Sequence, residues 1–189
     1  MEQNNDYTIC FNPVLKKFEN NYEKNSKFPT EAMIEKGFSF ENLLKYNFMQ
    51  TNSVMYRSNA VKDLILKFPK NMMPGDWYLH LLFARQGKIK YLDDVMAVYR
   101  IHSGCGWGNY NLEEKIIRYQ FKFFNFYFNV YNNITNKSNI YKLTVLSKYR
   151  ELFAAFLKNR KYSKIFLMMI YHPILMLEML FYTIRFTTF

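Results

Sequence analysis

The sequence predicts an α/β domain that is followed by a helical region. Up to about residue 107, short segments rich in β-branched and aromatic residues alternate with helical patterns, whereas only helical patterns follow. With 189 residues, 50% apolar and 22% charged, the chain has the composition of a folded globular protein. We therefore predict an α/β domain over residues 1–110 and a helical region over residues 111–189.

Four short strands are expected in the first region. Residues 6–13 contain an apolar run that ends at a proline, which is typical of a mostly buried strand. Residues 52–57 alternate between apolar and polar, and residues 90–92 and 96–100 flank a turn with two adjacent aspartates. Residues 16–27 are rich in Asn, Lys and Glu and are predicted to form a loop.

Three helices are expected between these strands. Residues 40–46 follow Ser39, which is a suitable N-cap, and residues 59–66 have a helical pattern. The clearest helix begins at Asp76, because a Pro-Gly pair precedes this preferred N-cap residue and Gly87 follows the last apolar turn. Its apolar residues cover nearly the whole circumference, so we expect it to be well buried.

The helical region contains two predicted helices and a long apolar segment. A capping-box pattern at Asn111 and Glu114 starts a helix that runs to about Tyr131, and a second helix covers residues 138–158. Its part from Tyr119 to Tyr131 is rich in aromatic residues but carries a single lysine, Lys122. It is therefore expected to pack in the core rather than to stack on nucleic acid, and no nucleic-acid partner is predicted.

The apolar segment, residues 165–184, is interrupted by His172, Pro173 and Glu178. A single transmembrane helix would bury these polar groups in hydrocarbon, and the proline would break its hydrogen bonding. Lysine and arginine residues precede the segment. We therefore expect a helical pair that lies on the inner membrane surface or covers the core of the domain itself.

The charge and cysteine content limit the partners and the compartment. The formal net charge of +11 suits an acidic partner such as a nucleotide diphosphate or an anionic membrane, but a solvated basic surface accounts for it equally. The two cysteines, Cys10 and Cys105, form neither a disulfide framework nor a metal-ligand motif. The polar, acidic start lacks the features of a secretory signal, so a cytoplasmic protein is expected.

Three stretches carry a resemblance to a known family: Gln-Thr-Asn-Ser-Val-Met-Tyr-Arg at 50–57, Pro-Gly-Asp-Trp-Tyr-Leu-His at 74–80, and Tyr-Arg-Ile-His-Ser-Gly-Cys-Gly-Trp at 99–107. Together they resemble the acceptor-side half of a family 2 glycosyltransferase, an inverting enzyme with the nucleotide-sugar GT-A fold. The resemblance covers about residues 6–107. Such enzymes begin with a nucleotide-binding half that ends in an Asp-x-Asp metal motif, which has no counterpart here. The resemblance thus implies a partial GT-A domain and a fragment of a larger enzyme.

The resemblance implies a catalytic role for Asp76. Inverting transfer requires a carboxylate that takes the proton of the acceptor hydroxyl, and the Gly-Asp-Trp triplet is similar to the position of that carboxylate in the family. From spacing alone, a helix cap is the favoured interpretation of Asp76, and the resemblance is what favours the catalytic role. Trp77 is implied to stack on a sugar ring, with a core anchor as the alternative interpretation.

Further residues are implied to bind the donor and the acceptor. Arg100 and His102 resemble the segment that faces the diphosphate and its metal, with His102 as a metal ligand, while Gln50 and Thr51 are implied to bind substrate. A divalent metal, Mn or Mg, is expected for the complete family enzyme. The donor is expected to be a nucleotide sugar, in particular a UDP-sugar, and the acceptor a glycan or a lipid-linked glycan.

The sequence therefore indicates two alternative functions. The first is transfer of a sugar with inversion at the cytoplasmic membrane face. The alternative is a non-catalytic remnant or interaction protein, since the nucleotide-binding half has no counterpart in the chain.

Overall fold

The structure is a computed structural model of the 189-residue chain. It describes residues 4–19, 25–58, 68–69, 72, 74–104, 120–134 and 139–187. The chain divides into two compact units, Met1–Lys70 with Gly75–Asn109, and Asn71–Pro74 with Tyr110–Phe189. The first unit mixes helices and strands and the described part of the second is helical, which confirms the predicted α/β region followed by helices.

The described part of the first unit contains six strands in two three-stranded sheets. The strands are β1 (Tyr7–Phe11), β2 (Val14–Phe18), β3 (Ser26–Phe28), β4 (Val54–Tyr56), β5 (Lys88–Tyr91) and β6 (Ala97–Ile101). One sheet has the order β4-β1-β5 and the other the order β3-β2-β6. In each sheet the central strand pairs antiparallel with one neighbour and parallel with the other.

Asn12 and Pro13 separate β1 from β2, so the two sheets follow each other along the chain. Proline has no backbone N–H to donate to a strand partner, which explains why it falls at this break. The backbone N–H of Asn12 donates to the carbonyl of Ser53 (3.3 Å), and its side-chain amide donates to the carbonyl of Pro13 (2.8 Å). The break is therefore fixed by hydrogen bonds.

The described residues of this unit form the helices α1 (Glu31–Glu35), α2 (Phe40–Lys45) and α3 (Gly75–Ala84). Ser39 caps α2 as predicted, because its hydroxyl accepts the backbone N–H of Asn42 at 3.2 Å. Helix α3 starts one residue before the predicted position, which places Asp76 inside the first turn. Its side chains from Trp77 to Ala84 are buried except Leu79, which is half-buried, and this confirms the prediction of a buried helix.

Gly87 lies between α3 and β5, at a close approach of two chain segments. A Cβ atom at this position would lie 2.6 Å from the carbonyl oxygen of Asp6 and 2.7 Å from Cγ2 of Thr8. Real Cβ atoms do not come so close to other atoms, so the position requires glycine. The approach is reinforced by the Thr8 hydroxyl, which donates to the carbonyl of Phe83 at 2.7 Å.

The prediction of a loop over residues 16–27 was wrong, because β2 and β3 include parts of this segment. Their sheet pairing outweighs the weak β-propensity of lysine and serine. Lys16 also places its ammonium group 4.0 Å from the centre of the Phe28 ring on the neighbouring strand. The predicted strands over 6–13, 52–57, 90–92 and 96–100 are confirmed as β1, β4, β5 and β6. The predicted helix over residues 59–66 lies outside the described residues.

The second unit contains α4 (Gln120–Asn129), α5 (Asn139–Lys158), α6 (Tyr162–Tyr171) and α7 (Pro173–Thr187), and α4 continues into a π-helical turn, Val130–Ile134. Helix α5 confirms the helix predicted over residues 138–158. The predicted start of the preceding helix at Asn111 lies outside the described residues. Phe126, Tyr127 and Tyr131 are buried, as expected for aromatic residues that pack in a core.

In the part of the chain that the structure describes, no single helix is long and apolar enough to cross a membrane. Helices α6 and α7, taken together up to Phe181, satisfy the length and composition criteria, but they are bent by 105° at the break. This finding agrees with the prediction that residues 165–184 do not form one continuous transmembrane helix.

Candidate active site

Asp76 lies in the first turn of α3 and is half-buried. Its Oδ2 atom accepts a hydrogen bond from the hydroxyl of Thr51 at 2.7 Å, and its Oδ1 atom accepts the backbone N–H of Trp77 at 2.8 Å. A negative charge at this end of a helix is also stabilised by the helix dipole. The fold thus brings together Asp76 and Thr51, two predicted site residues that lie 25 positions apart in the sequence.

Thr51 belongs to a 3₁₀ turn, Thr51–Ser53, that is held on several sides. The hydroxyl and the backbone N–H of Ser53 donate to the carbonyl of Gln50 at 2.8 and 2.9 Å. The side-chain amide of Asn52 donates to the carbonyl of Val98 on β6 at 3.1 Å. These bonds position the Thr51 hydroxyl against Asp76, while the side chain of Gln50 is half-buried beside the turn.

Trp77 is placed in the core of the first unit. Only 7% of the residue is exposed, and its indole N–H donates to the carbonyl of Leu43 on α2 at 2.7 Å. A ring that is already buried and anchored has little surface left for stacking on a sugar. The placement therefore favours the core-anchor interpretation of Trp77.

Arg100 and His102 line an open cavity of about 400 Å³ with three further residues, Lys17, Phe18 and Glu19. Arg100 stands opposite Lys17 in the parallel register of β2 and β6, and the backbone N–H of Glu19 extends this pairing by donating to the carbonyl of Ile101 at 3.0 Å. Two cationic side chains and one imidazole thus face a single carboxylate. This balance suits an anionic ligand.

The loop after β6 folds back over His102. A Cβ atom on Gly104 would lie 3.3 Å from Nδ1 and from Cε1 of the imidazole, so the small residue leaves room for the ring. The rest of the glycine-containing loop, residues 105–110, lies outside the described residues.

The described residues do not form the Mn or Mg site that the resemblance implies. Among them, no group of three His, Cys, Asp or Glu side chains is arranged to hold a metal ion. His102 and Glu19 share the cavity, and two side chains complete the coordination of such an ion only together with phosphate oxygens and water. The donor set therefore does not fit a divalent metal by itself.

A hydrogen bond that was not predicted from the sequence joins a half-buried tyrosine to a buried histidine one turn after Asp76 in α3. The hydroxyl of Tyr56 is 2.6 Å from Nδ1 of His80, and His80 is fully buried. Burial lowers the pKa of His80 to about 4, against the opposing effect of Asp76, and burial together with Asp76 raises the pKa of Tyr56. The charge of Asp76 thus contributes to the pKa of both residues. The available sequence signal was the spacing of Asp76 and His80, which puts them on one face of a helix.

Lys17 and Glu19 were not predicted as site residues, because their segment was predicted to be a loop. The apolar residues Val14, Leu15 and Phe18 were the available sign of a strand. Their pairing with β6 is what brings the two charged side chains beside Arg100.

The buried His80 predicts a loss of stability in mild acid. Its pKa is about 4 in the folded state against 6.5 for an unperturbed histidine, so below pH 6.5 the unfolded state takes up a proton that the folded state does not. The free energy of unfolding therefore has its full value above pH 6.5. It decreases by about 3 kcal/mol in total as the pH falls toward 4. Urea unfolding at pH 7.5 and 4.5, followed by tryptophan fluorescence, measures this loss.

The matched variant for this experiment is His80→Gln, which keeps a polar side chain but cannot titrate. Both tryptophans of the chain belong to the first unit, so their fluorescence reports the unfolding of the unit that contains His80. We expect the variant to lose less stability than the wild type between the two pH values. An equal loss in both proteins would show that His80 is not responsible.

The fold and the site define an α/β protein with a solvent-accessible carboxylate and a cationic cavity. No protein-family model and no solved structure matches the chain. It is similar to uncharacterized proteins of Mycobacterium bovis and of two strains of Mycobacterium tuberculosis, each 41% identical over 107 residues. The match covers 57% of this chain and 30% of each relative, so the chain spans less than a third of the length of these relatives.

Proposed function

We propose that the first unit is the acceptor-side half of a GT-A, family 2 glycosyltransferase, which transfers a sugar with inversion from a nucleotide-sugar donor to a glycan or lipid-linked acceptor. The observation that carries the proposal is the carboxylate of Asp76, which is partly exposed and hydrogen-bonded to Thr51. A partly exposed carboxylate that is held by hydrogen bonds on both oxygens provides a positioned base. The resemblance of residues 50–57, 74–80 and 99–107 supplies the reaction class.

In this reaction the oxygen of an acceptor hydroxyl forms a bond to the anomeric carbon while the bond from that carbon to the nucleoside diphosphate breaks. The proton of the hydroxyl passes to the carboxylate of Asp76. Thr51 holds one carboxylate oxygen and the backbone of Trp77 holds the other, so both oxygens keep a defined orientation. Such positioning lowers the cost of bringing base and acceptor into contact.

The departing diphosphate requires positive charge, and the cavity beside β6 offers it. Arg100 supplies a guanidinium that binds phosphate oxygens through two parallel hydrogen bonds, and Lys17 adds a point charge. Asn52 joins this strand to the turn that carries Thr51, through its hydrogen bond to Val98. This hydrogen bond connects the turn that carries Thr51 with the strand that carries Arg100.

Binding of UDP tests the donor side of this proposal. We expect the Arg100→Ala variant to bind UDP, in the presence of Mn²⁺, roughly tenfold or more weakly than the wild type, because a hydrogen bond to a charged group contributes about 1.5–3 kcal/mol. Isothermal titration calorimetry on the full chain gives the two affinities.

Lys90→Ala is the matched control, since it removes one positive charge from an exposed residue of the same unit that does not line the cavity. We expect it to leave the affinity for UDP within about twofold of the wild type, as for a screened surface charge. If the wild type does not bind UDP, or if both variants weaken binding equally, the cavity is not a donor site. The remnant or interaction protein would then be the better account.

A further inference from the structure

Helices α6 and α7 carry apolar side chains on two opposite faces. Their inner faces are buried through Ile165, Met168, Leu175, Met176 and Met179. Their outer faces, which we call the outer apolar surface, consist of Phe166, Met169, Ile170, Ile174, Leu177, Leu180 and Phe181. Phe166, Ile174 and Phe181 are 63%, 71% and 68% exposed. A helix that is apolar all round normally has both sides covered, so this surface marks an interaction site.

The charged side chains at the edge of this surface are positive. Lys158, Arg160 and Lys161 are exposed at the start of α6, and Lys164 follows one turn later. Between residues 158 and 181 the sequence contains a single carboxylate, that of Glu178. Glu178 is half-buried and accepts a hydrogen bond from the hydroxyl of Tyr131. The outer apolar surface therefore carries no negative charge and has a cationic edge.

The bend between the two helices restricts how this surface meets a partner. At 105°, α6 and α7 do not continue each other along one line. Helices of 10 and 15 residues measure about 15 and 22 Å at 1.5 Å per residue, so each is shorter than the ~30 Å hydrocarbon core of a bilayer. An orientation along the membrane surface avoids this mismatch.

We propose that α6 and α7 dock on the surface of an anionic lipid bilayer, with the outer apolar surface in the boundary between headgroups and acyl chains and the cationic edge at the headgroups. Apolar burial and attraction to anionic lipids both strengthen such binding. A second copy of the chain fits less well as the occupant, since its outer apolar surface offers no carboxylate to pair with the cationic edge. This inference goes beyond the transferase proposal and does not depend on it.

Co-sedimentation of the full chain with vesicles tests the inference. We expect binding to vesicles that contain phosphatidylglycerol, weaker binding to pure phosphatidylcholine, and a decrease in binding as the salt concentration rises. The double variant Phe166→Ser, Phe181→Ser is expected to bind vesicles at least tenfold more weakly, because two phenyl rings are no longer transferred from water into the bilayer. Arg160→Gln with Lys161→Gln should lower the affinity for anionic vesicles roughly tenfold or more, at about 1 kcal/mol for each charge.

The matched control is Met55→Ser with Met96→Ser, which removes two exposed apolar side chains from the first unit. It should bind vesicles as the wild type does, and circular dichroism verifies that every variant keeps its helix content. Lack of binding to anionic vesicles, or an equal loss in the control and in the phenylalanine variant, would overturn the inference. A dimer of the wild type that the phenylalanine variant dissociates, together with no vesicle binding, would assign the surface to a second copy. No donor or acceptor is present, so failure here leaves the transferase proposal standing.

Discussion

The Asp76→Asn substitution is expected to lower the rate of sugar transfer by roughly 10²–10⁴-fold, which is the usual contribution of a positioned general base. Asparagine has the same shape, and its amide oxygen can still accept the N–H of Trp77, so the fold of the helix start should persist. The amide cannot take the proton of the acceptor hydroxyl. The chain is reconstituted with a separate nucleotide-binding half, and the release of nucleoside diphosphate with donor, acceptor and Mn²⁺ present gives the rate.

Two companion variants make this result specific. Asp94→Asn removes a carboxylate from an exposed position between β5 and β6 and should leave transfer unchanged. Thr51→Val removes the hydroxyl that binds Oδ2 of Asp76 and should reduce the rate less than Asp76→Asn does, while UDP binding stays at the wild-type level. Transfer that persists in Asp76→Asn would exclude this residue as the base and leave it the role of stabilising the start of α3.

The Trp77→Ala substitution is expected to destabilise the first unit by about 3–5 kcal/mol, the range for removing a large aromatic side chain from a core. It leaves a cavity and removes the N–H that satisfies the buried carbonyl of Leu43. The free energy of unfolding of a domain is only about 5–15 kcal/mol, so a loss of this size is expected to unfold a large part of the population. Urea unfolding followed by circular dichroism measures the change.

Trp77→Phe separates packing from the hydrogen bond. It retains an aromatic ring, so it should cost less than Trp77→Ala, and the remaining loss reflects the unmade bond to Leu43 and the smaller ring. Met55→Ala, at an exposed apolar residue, should change stability by less than about 0.5 kcal/mol. A stable Trp77→Ala protein with weakened acceptor binding would instead support the sugar-stacking role.

Local signals predicted the elements where they agreed with the final packing. Ser39 caps α2, the proline after residues 6–11 ends a buried strand, and the Pro-Gly pair precedes α3 by local backbone chemistry alone. The same reasoning failed at residues 16–27, where polar composition suggested a loop. Lys16 and Lys17 lie in a strand because the backbone of β2 pairs on both sides, with β3 and β6.

The candidate site was predictable only in part. Asp76 and Thr51 were both predicted as site residues, but their hydrogen bond was not, because it joins segments that only the fold brings together. The hydrogen bond between His80 and Tyr56 was not predicted, since a histidine in an apolar helix has no local sign of its partner. Trp77 was assigned two possible roles, and its burial against Leu43 favours one of them.

By itself, the sequence determined the alternation of strands and helices, the excess of basic charge and the apolar character of residues 165–184. These properties depend on composition and on the spacing of neighbours along the chain. The tertiary structure alone decided that Thr51 meets Asp76 and that Tyr56 meets His80, and it placed Lys17 and Arg100 opposite each other on two parallel strands that line one cavity. Such contacts join residues distant in sequence, and the pairing of strands and the burial of side chains that create them are properties of the whole packed unit.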